Sequence, residues 1–206
     1  MKQSVTNTFD SAPEFRQEVY RLLAALYQTA PSEAMLSLLQ ELQINLADAE
    51  NPELIGAFVT LQKQVNSVEK AALDEQFFTL FVGLSEGDVP PYASWYLHGH
   101  LFANSLLLLR QHLQSLGIVR HSDNKEPEDH ITAILQVMAI LIGTEGEHQQ
   151  HAFFEQHLQP WYGMFCERLI KHQQSPFYQR VGELTFTFLQ QEQRHLAGWS
   201  IPVTAN

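Results

Sequence analysis

Apolar residues recur at steps of three and four along nearly the whole chain, and runs that alternate apolar with polar are almost absent. A period near 3.6 puts such residues on one face of an α-helix, whereas a strand needs a period of two. Phe15, Val19, Leu22, Leu23 and Leu26 follow the helical rule, behind Asp10 or Ser11 as caps and Pro13 near the first turn. Pro31 and Ser32 restart the chain ahead of Leu36, Leu39 and Leu42, and Pro52 precedes Leu54, Ile55, Phe58, Leu61 and Val65. Leu73, Phe77, Leu80 and Phe81 mark a fourth helix that stops at Gly83, since glycine best accepts a left-handed helix end.

The pattern then breaks at residues 83–94, GLSEGDVPPYAS, which hold too many helix breakers to continue the helix. Helical spacing resumes with Leu101, Phe102, Leu106, Leu109 and Leu113, ending at Gly117. Further helices carry Ile131, Ile134, Leu135, Met138 and Leu141; Phe154 and Leu158; Trp161, Met164, Phe165 and Leu169; and, after Pro176, Val181, Leu184 and Phe188. The expected fold is all-α, a compact bundle of about nine helices forming one domain over residues 1–206. Its expected parts are an N-terminal helical part 13–82, a hinge-like loop 83–94 and a C-terminal helical part 95–196.

Composition narrows the function. With 206 residues, 45% of them hydrophobic, folding buries roughly 70% of the unfolded surface, enough for a real core. Lys and Arg number 12 against 23 Asp and Glu, a net charge of −11. That sign repels nucleic acid and anionic lipid and admits a basic peptide. The single cysteine, Cys166, excludes an internal disulfide and a thiolate cluster. The first fifteen residues lack the apolar stretch of a secretory signal, and the run Val137 to Ile142 falls far short of the about 20 residues that cross a bilayer. A soluble, cytoplasmic chain is expected.

Two segments carry candidate chemistry. The first is Glu126-Pro127-Glu128-Asp129-His130, with Pro127 suited to a first helical position and Glu128 and Asp129 to the positive end of the helix dipole. It reads either as a well-made helix start or as a cluster that receives a cation. Arginine is the natural guest, because its planar fork matches a carboxylate. The second runs from Phe77 to Tyr96. There Phe77, Leu80 and Phe81 have core spacing, while Tyr92 and Trp95 follow a loop bearing Glu86 and Asp88. Aromatics beside acidic loop residues suit a peptide groove, or pin the loop to the bundle. The ten histidines include His98, His100, His148 and His151, but without HExxH or cysteine partners no metal site is expected. Nucleotide-loop and nucleophile-elbow signatures are absent, so neither a catalytic residue nor a cofactor is expected.

These two segments resemble the TorD/DmsD chaperones that mature twin-arginine-exported molybdoenzymes. An aromatic-x-x-Leu-Phe pattern appears as Phe77, Leu80 and Phe81, and an E-P-x-D-H pattern as Glu126, Pro127, Asp129 and His130. Pro91 and Tyr92 stand at the matching distance after the first, and HLQPWYGMF and SPFYQRVGELT also look like the family. The resemblance covers roughly residues 15 to 195 and implies a chaperone, not an enzyme. Its implied partners are a twin-arginine signal peptide and the catalytic subunit of a molybdopterin reductase of the dimethyl sulfoxide or trimethylamine N-oxide type. It implies at most transient membrane contact through the export machinery, no nucleic acid, and a monomer or a dimer. Asp129 and His130, with Glu86 or Asp88, are expected to receive the basic part of the signal. Phe77, Leu80, Phe81, Pro91, Tyr92 and Trp95 are expected to line a groove for its apolar part. The competing readings are an enzyme built on Glu126, Glu128, Asp129 and His130, and a scaffold for a folded partner.

Overall fold

Pro13, Ser32, Pro52 and Pro176 start helices where the spacing predicts them, and fully buried rings hold those helices together. The computed structural model describes residues 13–44, 51–83, 87–101, 104–121 and 125–198. Among these it contains ten α-helices and no strand. They are α1 (Pro13–Gln28), α2 (Glu33–Glu41), α3 (Pro52–Val65), α4 (Lys70–Phe77), α5 (Ala93–His98), α6 (Asn104–Ser115), α7 (Ile131–Thr144), α8 (Glu147–His157), α9 (Tyr162–Lys171) and α10 (Pro176–Ala197). Ser32 caps α2 by accepting from Met35 N–H, and Pro52 and Pro176 occupy first helical positions. Asp10, Ser11, Glu86 and Phe102 lie outside the described residues.

The core is aromatic. Tyr20, Tyr27, Phe153, Phe154, Trp161, Phe165, Phe177, Tyr178 and Phe188 are all fully buried. Each such ring contributes about 1.5–3 kcal/mol through burial alone. α1 runs along α7, and α10 lies against α3 and α9, so helices from both sides of residues 83–94 interlock. Gly182 lets α9 close on α10, since a Cβ there would meet Leu169 at 3.1 Å. Met164, grouped by spacing with the core of α9, instead faces solvent at that helix's edge. Burial raises the Cys166 thiol far above its ordinary pKa, so it stays protonated in the core.

At the two candidate segments the helix boundaries differ from the sequence expectation, both for tertiary reasons. The chain leaves the 83–94 segment at Tyr92, because Ala93 and Ser94 already form the first turn of α5. No helix starts at Pro127; α7 begins at Ile131 with His130 as its cap. The backbone of residues 129–131 is drawn instead into an isolated antiparallel bridge with Pro91–Tyr92. Ala93 N–H donates to Asp129 O at 3.0 Å and Ile131 N–H to Pro91 O at 2.8 Å.

Candidate functional site

α4 runs straight into a π-helical turn, Phe78–Val82, that ends at Gly83. Such wide turns rotate side chains out of α register and recur at functional sites. Here the turn aims Phe81 and Val82, with Phe77, into a groove of 610 Å³. Tyr27 and Gln28 at the end of α1 form a second wall, and Tyr92, Glu126, His130, Ala133 and Gln136 close the rest. The aromatic side is one edge-to-face network: ring centroids lie 5.2 Å apart for Phe77–Phe81 and 5.8 Å for Tyr27–Phe81.

The segment 126–130 splits its polar groups three ways. Glu126 lines the groove and accepts from Tyr92 Oη–H at 2.8 Å. Glu128 is taken by the protein's own arginines, Arg110 at 2.8 Å and Arg120 at 3.7 Å. Partial burial works against its charge, but the Arg110 hydrogen bond and the fields of both arginines prevail and hold it below the usual carboxylate range. Asp129 turns inward. It is 2% exposed, and its Oδ2 accepts from Ser94 N–H at 2.9 Å, so a carboxylate 35 positions away caps α5.

His130 joins both segments. Its ring meets Tyr92 edge-to-face at 5.1 Å, and its Nδ1 accepts from Thr132 N–H at 3.1 Å. That bond fixes the neutral tautomer with the proton on Nε2, leaving a donor rather than a charge at the groove. Burial lowers its pKa to about 4, against the raising pull of Glu126 and Asp129. Because the unfolded imidazole titrates near 6.5, the unfolded chain binds more protons below that pH, and stability falls from about pH 6.5 down to about pH 4. His130→Asn keeps an acceptor for Thr132 N–H but removes this titration. Urea midpoints measured from pH 7 to pH 4 are expected to fall less steeply in that variant than in the native chain.

Of the other expected site residues, Leu80, Pro91, Asp88 and Trp95 are not brought into the groove. Leu80 is fully buried in the core beneath the π-turn, and Pro91 is buried with its carbonyl held by Ile131 N–H. Asp88 points to the α9–α10 side, where its carboxylate sits 3.1 Å from His172 Nε2 and its carbonyl accepts from Arg168. Trp95 is half-buried on α5 and does not line the groove. Glu86 falls outside the described residues. Conversely, the sequence singled out none of Ala133, Gln136, Tyr27 and Gln28; the first two follow His130 at successive steps of three, whereas Tyr27 and Gln28 have no signal near the motifs. Among the described residues no three His, Cys, Asp or Glu side chains converge as metal ligands, and no helix is long and apolar enough to cross a membrane.

Residues 13–167 match the nitrate reductase delta subunit family. The chain is 34% identical to a probable Tat proofreading chaperone DmsD of Haemophilus influenzae, over 84% of this chain and 87% of the relative. Identity to the Tat proofreading chaperone DmsD of Salmonella typhimurium is 31%, over 85% and 88%. It is also 26% identical to the chaperone protein TorD of Shewanella amazonensis, over 89% and 92%. The fold resembles a crystal structure of a protein assigned to redox enzyme maturation from Archaeoglobus fulgidus, with a TM-score of 0.55 at 18% identity, covering 95% and 99% of the two chains. The three sequence relatives are chaperones by name. A helical bundle whose two candidate segments meet across the Tyr92–His130 bridge, with this similarity along most of its length, belongs to the nitrate reductase delta subunit family and to its TorD/DmsD chaperones.

Proposed function

We propose that this chaperone binds the twin-arginine signal peptide of a molybdoenzyme of the dimethyl sulfoxide or trimethylamine N-oxide reductase type. Occupying the signal on the apo catalytic subunit, in the cytoplasm, delays export until the molybdopterin cofactor is in place. The observation that carries this reading is the groove itself, in which a carboxylate, a neutral imidazole donor and four aromatic rings converge. Glu126 supplies the counter-charge for a guanidinium, and Tyr92, Phe77 and Phe81 supply ring faces for its plane. His130 Nε2–H suits a peptide carbonyl. Asp129 takes a different part from Glu126: it holds the α5 turn that positions Tyr92.

A charge-assisted hydrogen bond contributes about 1.5–3 kcal/mol. Glu126→Gln and Tyr92→Ala are therefore each expected to weaken a synthetic paired-arginine signal peptide by roughly tenfold or more in calorimetric titration. Native-like affinity in both variants, with the fold intact, removes the groove from the function.

A further inference from the structure

α7 is an unusual surface helix. Its fourteen residues include no Asp, Glu, Lys or Arg, yet it shows Gln136, Ile140 and Gly143 to solvent. Its exposed face, which also includes Thr144, is uncharged, whereas the solvent face of a surface helix usually carries charged residues. Beside this stripe, between α6, residues 118–121 and α7, lies an apolar trench of 180 Å³. Leu109, Leu113, Val137 and Phe153 form its floor; Val119 and Ile140 stand on its rim, 87% and 45% exposed. Exposed apolar side chains such as Val119 and Ile140 beside a depression mark a contact site, whereas Leu107 and Leu108 of α6 are more than half exposed but do not line the trench.

The trench is continuous with the groove described above. His121, Glu126, Ala133 and Gln136 border both. The two differ in chemistry: the groove mixes rings with polar groups, whereas the trench is walled mostly by aliphatic side chains. Of the carboxylates that line the trench, Glu128 is held by Arg110 and Arg120, and Glu126 stands where the trench opens into the groove. A chain leaving the groove over the small side chain of Ala133 therefore enters a site suited to an uncharged, aliphatic segment.

We propose that the α6–α7 trench is a second subsite of the same binding site, and that it fixes the direction of the bound peptide. The basic end lies in the groove by Tyr92 and Glu126; the apolar stretch that follows it crosses Ala133 and Gln136 and seats between Val119 and Ile140. The inference rests on the groove reading, and its occupant is a continuation of that peptide rather than a second copy of this chain.

The test uses the full chain and two synthetic peptides, one with paired arginines alone and one with the same residues followed by a Leu/Ala stretch of about 12 residues. The variant Val119→Asp/Ile140→Asp alters two exposed positions, so its helical content and melting temperature are expected to match the native chain. Affinity for the long peptide is expected to drop at least tenfold while affinity for the short peptide stays unchanged. Tyr92→Ala is expected to weaken both. A photoreactive group at the last residue of the long peptide is expected to label α6 or α7 near Ile140, not α1 near Gln28. If the double variant binds both peptides like the native chain while Tyr92→Ala has lost both, the subsite is overturned and the groove stands. If Tyr92→Ala matches the native chain on both peptides, the groove reading fails and takes the subsite with it. A double variant that changes the chain's self-association in sedimentation but binds the long peptide normally assigns the trench to a second copy and overturns the proposal.

Discussion

Glu192→Ala is expected to destabilise the fold by about 3–5 kcal/mol, because it strands a buried guanidinium. Arg16 on α1 meets Glu192 on α10 through both arms of the carboxylate, Nε to Oε1 at 2.7 Å and Nη2 to Oε2 at 2.9 Å. Gln150 on α8 accepts from the same Nη2 at 2.9 Å. Arg16 and Glu192 are 3% and 2% exposed, so water cannot replace the lost partner. In a domain whose total stability is of order 5–15 kcal/mol, such a loss is large. Replacing both charges, as Arg16→Met/Glu192→Leu, is expected to recover most of it, since no unpaired ion remains. Equilibrium urea unfolding of the three proteins checks this, and a single variant within about 1 kcal/mol of native would refute it. The consequence reaches the groove. α1 carries Tyr27 and Gln28, and Tyr27 Oη lies 2.7 Å from Thr185 Oγ1 on α10, so the clamp sets how one groove wall stands.

Gly87→Ala is expected to cost roughly 3 kcal/mol, from left-handed strain plus a main-chain collision. Gly87 has φ +73°, and a Cβ there would sit 2.3 Å from Leu80 O and 2.9 Å from Phe81 N. The chain passes this close because Asp88 N–H donates to Thr79 O at 3.0 Å and Val89 N–H to Leu80 O at 2.9 Å, tying the loop along the π-turn. Moving the loop moves Phe81 and Val82, so peptide affinity is expected to fall with stability. At this chain length the melting temperature is expected to drop by about 6–12 °C. Gly99→Ala is the control: φ is +75°, but nothing lies within 4 Å of its Cβ, so only the strain of about 1–2 kcal/mol applies. Equal melting temperatures for the two variants would show that the close approach at Leu80 does not matter.

Helices were legible because their signal is local. Leu73, Phe77, Leu80 and Phe81 announce a buried face within ten positions, and Pro52 and Pro176 announce starts at single positions. The family signature was legible for the same reason, as two short runs. The π-turn was not, since its extra residue per turn answers to the loop docked along it and not to any spacing in FTLFV. The helix expected at Pro127 failed likewise, when Pro91 and Tyr92 claimed the backbone that a first turn would have used.

An acidic all-helical chain of this chaperone family, with its two signature segments, is already legible in the order of its residues. Packing assigned each carboxylate its partner. Glu126 went to the groove with Tyr92, Glu128 to Arg110 and Arg120, and Asp129 to the first turn of α5. Three neighbouring acids look alike in one dimension because their side chains share the same chemistry. Their roles are set by burial and by donors 8 to 35 positions away, brought there by packing.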